Sequence, residues 1–202
     1  MGNRLQGKVA IITGATSGIG EATARRFAAE GATLVIAGRS VERGEALAKE
    51  LAKDQNAQVL FQAADVMREA DIAALVDTAQ ARFGRLDCMF NNAGGNTPGA
   101  LETVTEQEVD YAMKLLYGSA LFGIKHAARV MAGNGGGSII NNSSIAAHRL
   151  AQGAMLYSCA KAAVSHLTRL MGVQLGPQNI RVNSISPGAI ATPIFWGGAS
   201  TT

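Results

Sequence analysis

Val9-Ala10-Ile11-Ile12-Thr13-Gly14-Ala15-Thr16-Ser17-Gly18-Ile19-Gly20 opens as an apolar run and closes on three glycines, and an amphipathic, helix-like segment from Glu21 to Ala29 follows. The order is strand, glycine turn, helix. Glycines at 14, 18 and 20 let the backbone turn sharply, approach a bulky anion and pack the new helix on the sheet, while unpaired N–H groups at the helix start attract phosphate. The stretch reads as a pyrophosphate cradle formed by Gly14, Thr16, Ser17, Gly18, Ile19 and Gly20. Its spacing is Gly-x3-Gly-x-Gly, which differs from the more familiar Gly-x-Gly-x-x-Gly dinucleotide fingerprint.

The same β-to-α alternation runs through the chain. Val9–Thr13, Leu34–Ala37, Val59–Gln62, Leu86–Asn91, Ser138–Asn142 and Arg181–Ser186 are strand candidates, separated by longer segments of helical periodicity, among them Glu106–Met131 and Met155–Leu175. Near-continuous apolarity in the strands predicts burial on both faces. The expected fold is therefore α/β, a doubly wound parallel sheet with right-handed crossovers, in a single domain over residues 1–202.

Composition agrees with a globular α/β protein: 48% hydrophobic and 16% charged residues, 24 glycines and four prolines in 202 residues. The net charge of +3 comes from scattered residues with no basic block, so nucleic acid is not expected as a partner. Cys88 and Cys159 belong to no metal-type cluster and are read as reduced core residues. His126, His148 and His166 show no ligand spacing, so no metal is expected; His148 and Arg149 lie where side chains can face a substrate. No apolar run approaches the roughly 20 residues of a membrane span, and the N-terminus lacks a signal-peptide pattern, which predicts no membrane partner and a cytoplasmic location. Met1-Gly2 does not read as a lipidation site, because Gln6 stands where Ser or Thr is needed.

After the second strand candidate, Ala37-Gly38-Arg39-Ser40 occupies the place where a dinucleotide site reads the adenosine ribose. Gly38 offers no carboxylate to a free 2′-hydroxyl, whereas Arg39 offers a fork of donors to a 2′-phosphate or a plane to stack on adenine. The preferred cofactor is NADP, with NAD as the other possibility. Asp65-Val66 and Asn91-Asn92-Ala93-Gly94 close the third and fourth strands, at the edge of an open sheet where ligands bind.

Ser144, Tyr157 and Lys161 carry the candidate chemistry. Tyr157 and Lys161 are four residues apart in a helix-compatible run, so they project from one face about a turn apart. A tyrosine with a reference pKa of about 10 is a poor base at neutral pH, and a nearby ammonium favours its phenolate. Ser144 follows a strand and can hold a substrate oxygen.

These motifs, in this order, resemble the short-chain dehydrogenase/reductase family from about Gly7 to Ile194: Thr13–Gly20, Asn91–Gly94, Ser144 with Tyr157 and Lys161, and Pro187-Gly188 ending in Thr192-Pro193. The resemblance implies a Rossmann-type fold, a nicotinamide dinucleotide and hydride transfer to or from a secondary alcohol or ketone. It implies Tyr157 as acid/base, Lys161 on the nicotinamide ribose, Ser144 positioning substrate, Asp65 and Val66 near adenine, Asn92, Ala93 and Gly94 along the cofactor, and Pro187, Gly188, Ile190 and Thr192 near the carboxamide. Two departures qualify it. The family's active-site asparagine falls here at Leu115 or Leu116, which cannot hydrogen-bond. After Thr192 the sequence runs through Pro193, Ile194, Phe195 and Trp196 to Thr202, without the family's substrate-covering segment, further helix and last strand, so the fold reads as truncated at its C-terminal end.

The leading reading is thus an NAD(P)-dependent oxidoreductase; the alternative is a non-catalytic dinucleotide-binding sensor or scaffold of the same fold. Ala93, Ala146, Ala147, Leu150 and Met155 suggest a small, uncharged, fairly hydrophobic substrate. Apolar faces on the two long helices predict a homodimer or homotetramer.

Overall fold

The computed structural model describes residues 3–55 and 57–193. Six strands, β1 (Val9–Thr13), β2 (Thr33–Gly38), β3 (Val59–Ala63), β4 (Cys88–Asn91), β5 (Gly137–Asn142) and β6 (Ile180–Ile185), form one sheet in the order β3-β2-β1-β4-β5-β6. Every pairing is parallel. Helices α1 (Gly18–Ala29), α2 (Val41–Gln55), α3 (Glu69–Phe83), α4 (Glu106–Ala112), α5 (Ser119–Gly133) and α6 (Met155–Leu175) make the crossovers. Strand order reverses between β1 and β4, and the crevice at their carboxyl ends is where such sheets take ligands.

β1 explains why both faces must be covered. All five of its residues are buried, and they alternate between two cores. Val9 and Ile11 pack with Leu75, Val76, Met131 and Leu167 of α3, α5 and α6, whereas Ala10 and Ile12 pack with Ala24, Ala28, Leu47 and Leu51 of α1 and α2. That two-sided burial is the physical source of the unbroken apolar run.

Element ends differ from the sequence expectation in instructive ways. β2 extends to Thr33 and Gly38, β6 spans Ile180–Ile185, and β4 starts at Cys88, with Leu86 fully buried but outside the strand. Helix α1 starts at Gly18 instead of Glu21, because the glycine turn itself supplies the first helical residues against their low propensity. The expected helix Glu106–Met131 is interrupted: a capping box between Thr105 and Glu108 opens α4, and a π-helical turn over Met113–Gly118 separates it from α5. Ser119 Oγ donates to Leu115 O at 2.6 Å, engaging a carbonyl of that wide turn. α6 has the expected bounds.

Cys159 is exposed on α6, so the core reading fails for it. Cys88 is partly buried, and burial pushes its thiol up to about 12. Arg4 and Arg26 converge on the buried Glu30 at the end of α1, at 2.7 and 2.5 Å, and hold its carboxyl down at about 2. No helix among the described residues is long and apolar enough to cross a membrane. Ile194, Phe195, Trp196 and the rest of the C-terminal stretch lie outside the described residues, as do Met1 and Gly2.

Candidate active site

The glycine turn after β1 is built by close approach. Gly14 has φ +65°, and a Cβ there would stand 2.8 Å from Ala93 Cα; a Cβ on Gly20 would stand 2.2 Å from Gly14 O. Neither position admits a side chain without backbone movement. Asn92 holds the turn in place: its Nδ2 donates to Thr13 O at 2.9 Å and Gly14 O at 3.2 Å, and its Oδ1 accepts from Asn142 Nδ2 at 2.9 Å. The ends of β1, β4 and β5 are thereby locked together, and the Asn92 amide is spent on protein.

Over this edge lies a cavity of about 780 Å³. Gly14, Thr16, Ser17, Gly18 and Ile19 form its base, Arg39 and Asp65-Val66 one end, Asn92-Ala93-Gly94 the middle, and Pro187, Gly188, Ile190 and Thr192 the far wall. Ser144, Tyr157 and Lys161 line it too. Gly20 is the exception among the expected contacts: it packs behind Gly14 and does not reach the cavity. The Asp65 carboxylate accepts from Met67 N at 3.0 Å, so it shapes its own turn.

Each of the three chemical groups has a defined environment. Ser144 ends the extended chain after β5, is buried, and its Oγ accepts from Ala146 N at 3.1 Å, which leaves its proton to donate. Lys161 on α6 is 4% exposed, and its Nζ donates to Asn142 O at 2.5 Å and sits 5.6 Å from the centroid of the Tyr157 ring. Burial lowers its ammonium to about 8. Ser143 fastens β5 to α6, its Oγ donating to Lys161 O at 3.1 Å and lying 2.6 Å from Ser165 Oγ. Behind the pair, Val66, Ile72, Leu115, Leu116 and Ala160 form an apolar cluster that includes the Tyr157 ring. Leu115 lines the cavity, while a Cβ on Gly94 would meet Leu116 Cδ2 at 3.2 Å.

A model of the short chain dehydrogenase family matches residues 8–200. The chain belongs to that family. It is 42% identical over 193 residues to the mitochondrial borneol dehydrogenase of Lavandula x intermedia, covering 95% of this chain and 72% of that protein. The crystal structure of L-sorbose reductase from Gluconobacter frateurii, complexed with NADPH and L-sorbose, superposes with a TM-score of 0.91 at 35% identity, covering 96% of this chain and 73% of that one. A 7α-hydroxysteroid dehydrogenase complexed with NADH and 7-oxo glycochenodeoxycholic acid gives 0.92 at 35% identity, with 98% and 77% covered. As a short chain dehydrogenase this protein is an NAD(P)-dependent oxidoreductase.

Several expectations about the surroundings change. Of the five apolar residues expected around the substrate, Ala93 alone lines the cavity; Ala146 is buried beneath it and Leu150 is 96% exposed. His148 lies 3.1 Å from Ser186 Oγ, and neither it nor Arg149 lines the cavity. His126 pairs with Glu69 at 3.0 Å, and no group of metal-ligating side chains occurs among the described residues. Not anticipated from the sequence were Arg43, in the first turn of α2, and the polar residues Asn96, Thr97 and Gln152, all lining the cavity. A second arginine three residues past Ser40, close in sequence to the ribose-reading position, was the available signal for Arg43.

Proposed function

We propose that this protein interconverts a small secondary alcohol and its ketone, with Tyr157 as the proton donor and acceptor, Ser144 and Lys161 as its partners, and NADP as the preferred cofactor. The observation that carries this reading is the convergence of Ser144, Tyr157 and a buried Lys161 on the cavity that the glycine turn opens. The cofactor fits the residues present. Gly14 and Gly18, both at positive φ, bring bare backbone to the base, and Lys161 has one protein partner for its three donor hydrogens. When bound, the nicotinamide dinucleotide supplies or accepts the hydride.

The protein's own share is positional and protonic. Ser144 Oγ–H donates to the carbonyl oxygen and fixes it, and Tyr157 Oη delivers a proton to that oxygen in reduction or takes it in oxidation. Lys161 Nζ, held by Asn142 O, presents its remaining hydrogens to a ribose hydroxyl and its charge to the Tyr157 phenol. Leu115 and Leu116 keep water from this side of the pair, which strengthens those interactions. Three converging chemical groups leave the sensor or scaffold alternative without a feature in its favour.

The cofactor end supports NADP. Arg39 and Arg43 both line the cavity beside Ser40 and Thr16, and neither forms an ion pair among the described residues. Arg43 Nε donates to Ser40 Oγ at 3.2 Å. A Cβ at Gly38 would stand 2.7 Å from Thr16 Cγ2, so a carboxylate is sterically disfavoured there. Arg43 thus offers a second cation beside Arg39 at this end of the cavity. NADPH is expected to bind at least about tenfold more tightly than NADH, a difference of about 1.4 kcal/mol, and Arg39→Ala or Arg43→Ala narrows the ratio. Fluorescence titration with both cofactors checks this; equal affinities, or a ratio unmoved by both substitutions, would refute the assignment.

A homodimer or homotetramer in a cytoplasmic setting completes the proposal. Ala162, His166, Leu170 and Val173 form an exposed stripe on α6, and Val109 and Met113 stand exposed on and beside α4. Light scattering at micromolar concentration is expected to report an oligomer that Val173→Glu weakens; a monomer would count against the stripe as an interface. The cysteines are both free, as a reducing compartment favours.

A further inference from the structure

The chemical end of the cavity carries hydrogen-bonding groups that hydride transfer does not use. Asn96, in the loop after β4, and Gln152, in the segment before α6, both line the cavity and are exposed. Neither amide has a hydrogen-bond partner among the described residues, and each can donate two hydrogen bonds and accept two. Thr97, next to Asn96, is buried, and its Oγ1 also lacks a partner among the described residues.

Charge is arranged differently. Arg39, Arg43 and Asp65 line the other end of the cavity, whereas among the described residues Tyr157 and Lys161 are the ionisable side chains lining this one. Among the described residues a charged substrate would therefore find no counter-charge here beyond Lys161, which bonds Asn142 O and is proposed to serve the ribose and the Tyr157 phenol. An apolar substrate would cover the two amides and strip their water without replacing it, and an unpaired polar group pays its full desolvation. The surface suits a molecule with neutral oxygens.

We infer that the substrate is a neutral, polyoxygenated ketone or alcohol, carrying at least one hydroxyl or carbonyl beyond the reacting one, and that Asn96 and Gln152 bind that second oxygen. This rests on the hydride-transfer reading given above. It replaces the fairly hydrophobic compound expected from sequence, whose supporting side chains, Ala93 apart, do not line the cavity.

The test uses the purified protein with its preferred cofactor and matched pairs of ketones: 2-, 3- and 4-hydroxycyclohexanone against the corresponding methylcyclohexanones. At least one hydroxyketone is expected to exceed its methyl partner by about tenfold in kcat/KM, equivalent to about 1.4 kcal/mol, with most of the difference in KM. Asn96→Leu and Gln152→Leu each bring that ratio toward one. Calorimetric titration of the matched cyclohexanediols and methylcyclohexanols into protein loaded with the reduced cofactor, from which an alcohol cannot accept hydride, is expected to give the same ranking without turnover. Because the two residues lie on separate loops, one variant still reads the effect if the other does not fold. Methylketones that match or exceed the hydroxyketones would overturn the inference, as would a ratio that neither substitution changes. Binding of the dinucleotide with no turnover of either series would instead sink the hydride-transfer reading, and this inference with it.

Discussion

Tyr157→Phe is expected to lower kcat by about a thousandfold or more, within the range for loss of a positioned general acid, while cofactor dissociation constants stay within a few-fold. The reasoning is one of subtraction. The ring packs among Val66, Ile72, Leu115, Leu116 and Ala160, and phenylalanine keeps that packing. Only Oη goes. Lys161 still donates to Asn142 O, and Ser144 still accepts from Ala146 N, so the rest of the site stays in place. Rates with saturating ketone, together with fluorescence titration of the cofactor, separate the two effects. Turnover in the variant within tenfold of the parent would mean that another group moves the proton, and the proposed mechanism would fail.

Much of this architecture was legible in the chain because it is written in local patterns. The β1 run is apolar at every position since both of its faces meet helices, and the three glycines after it mark a turn where Gly14 and Gly20 are pressed against neighbouring backbone. Tyr157 and Lys161 fall one turn apart in a helix whose ends matched the pattern. What was not legible depends on contacts across the fold. Helical periodicity passes through Met113–Gly118 undisturbed, and the π turn there is a matter of backbone register that side-chain spacing does not encode. Asn92 lines the cavity where the cofactor was expected, but that its amide also ties together Thr13, Gly14 and Asn142 depends on two strands brought beside β4 by tertiary pairing. The apolar residues chosen near Ser144 by proximity in sequence fail for the same reason. A 3-10 turn over Ile145–Ala147 directs the chain so that Ala146 is buried and Leu150 faces water. Proximity along a loop says little about which wall of a cavity a side chain joins.

Lys161 provides the second large effect, and its sign follows from burial. The ammonium is lowered from 10.5 to about 8, so between those values the folded protein has released a proton that the unfolded chain still holds. Stability therefore rises with pH across that window, and below pH 8 the buried charge is a standing cost on the order of 3 kcal/mol, from 1.36 kcal/mol per pKa unit. Lys161→Met removes this dependence: the variant is expected to be at least as stable as the parent at pH 7, with the parent gaining on it from pH 8 to 10.5. Binding moves the other way. The ammonium is the group proposed to meet the nicotinamide ribose, so the variant is expected to bind dinucleotide at least about tenfold more weakly at pH 7, about 1.4 kcal/mol. In the parent that affinity declines as pH rises through about 8, and in the variant it stays level. Thermal melts and cofactor titrations between pH 6.5 and 10 read both trends on the same samples. Parallel pH profiles for the two proteins would show that Lys161 neither pays for its burial nor serves the cofactor, and would remove it from the site.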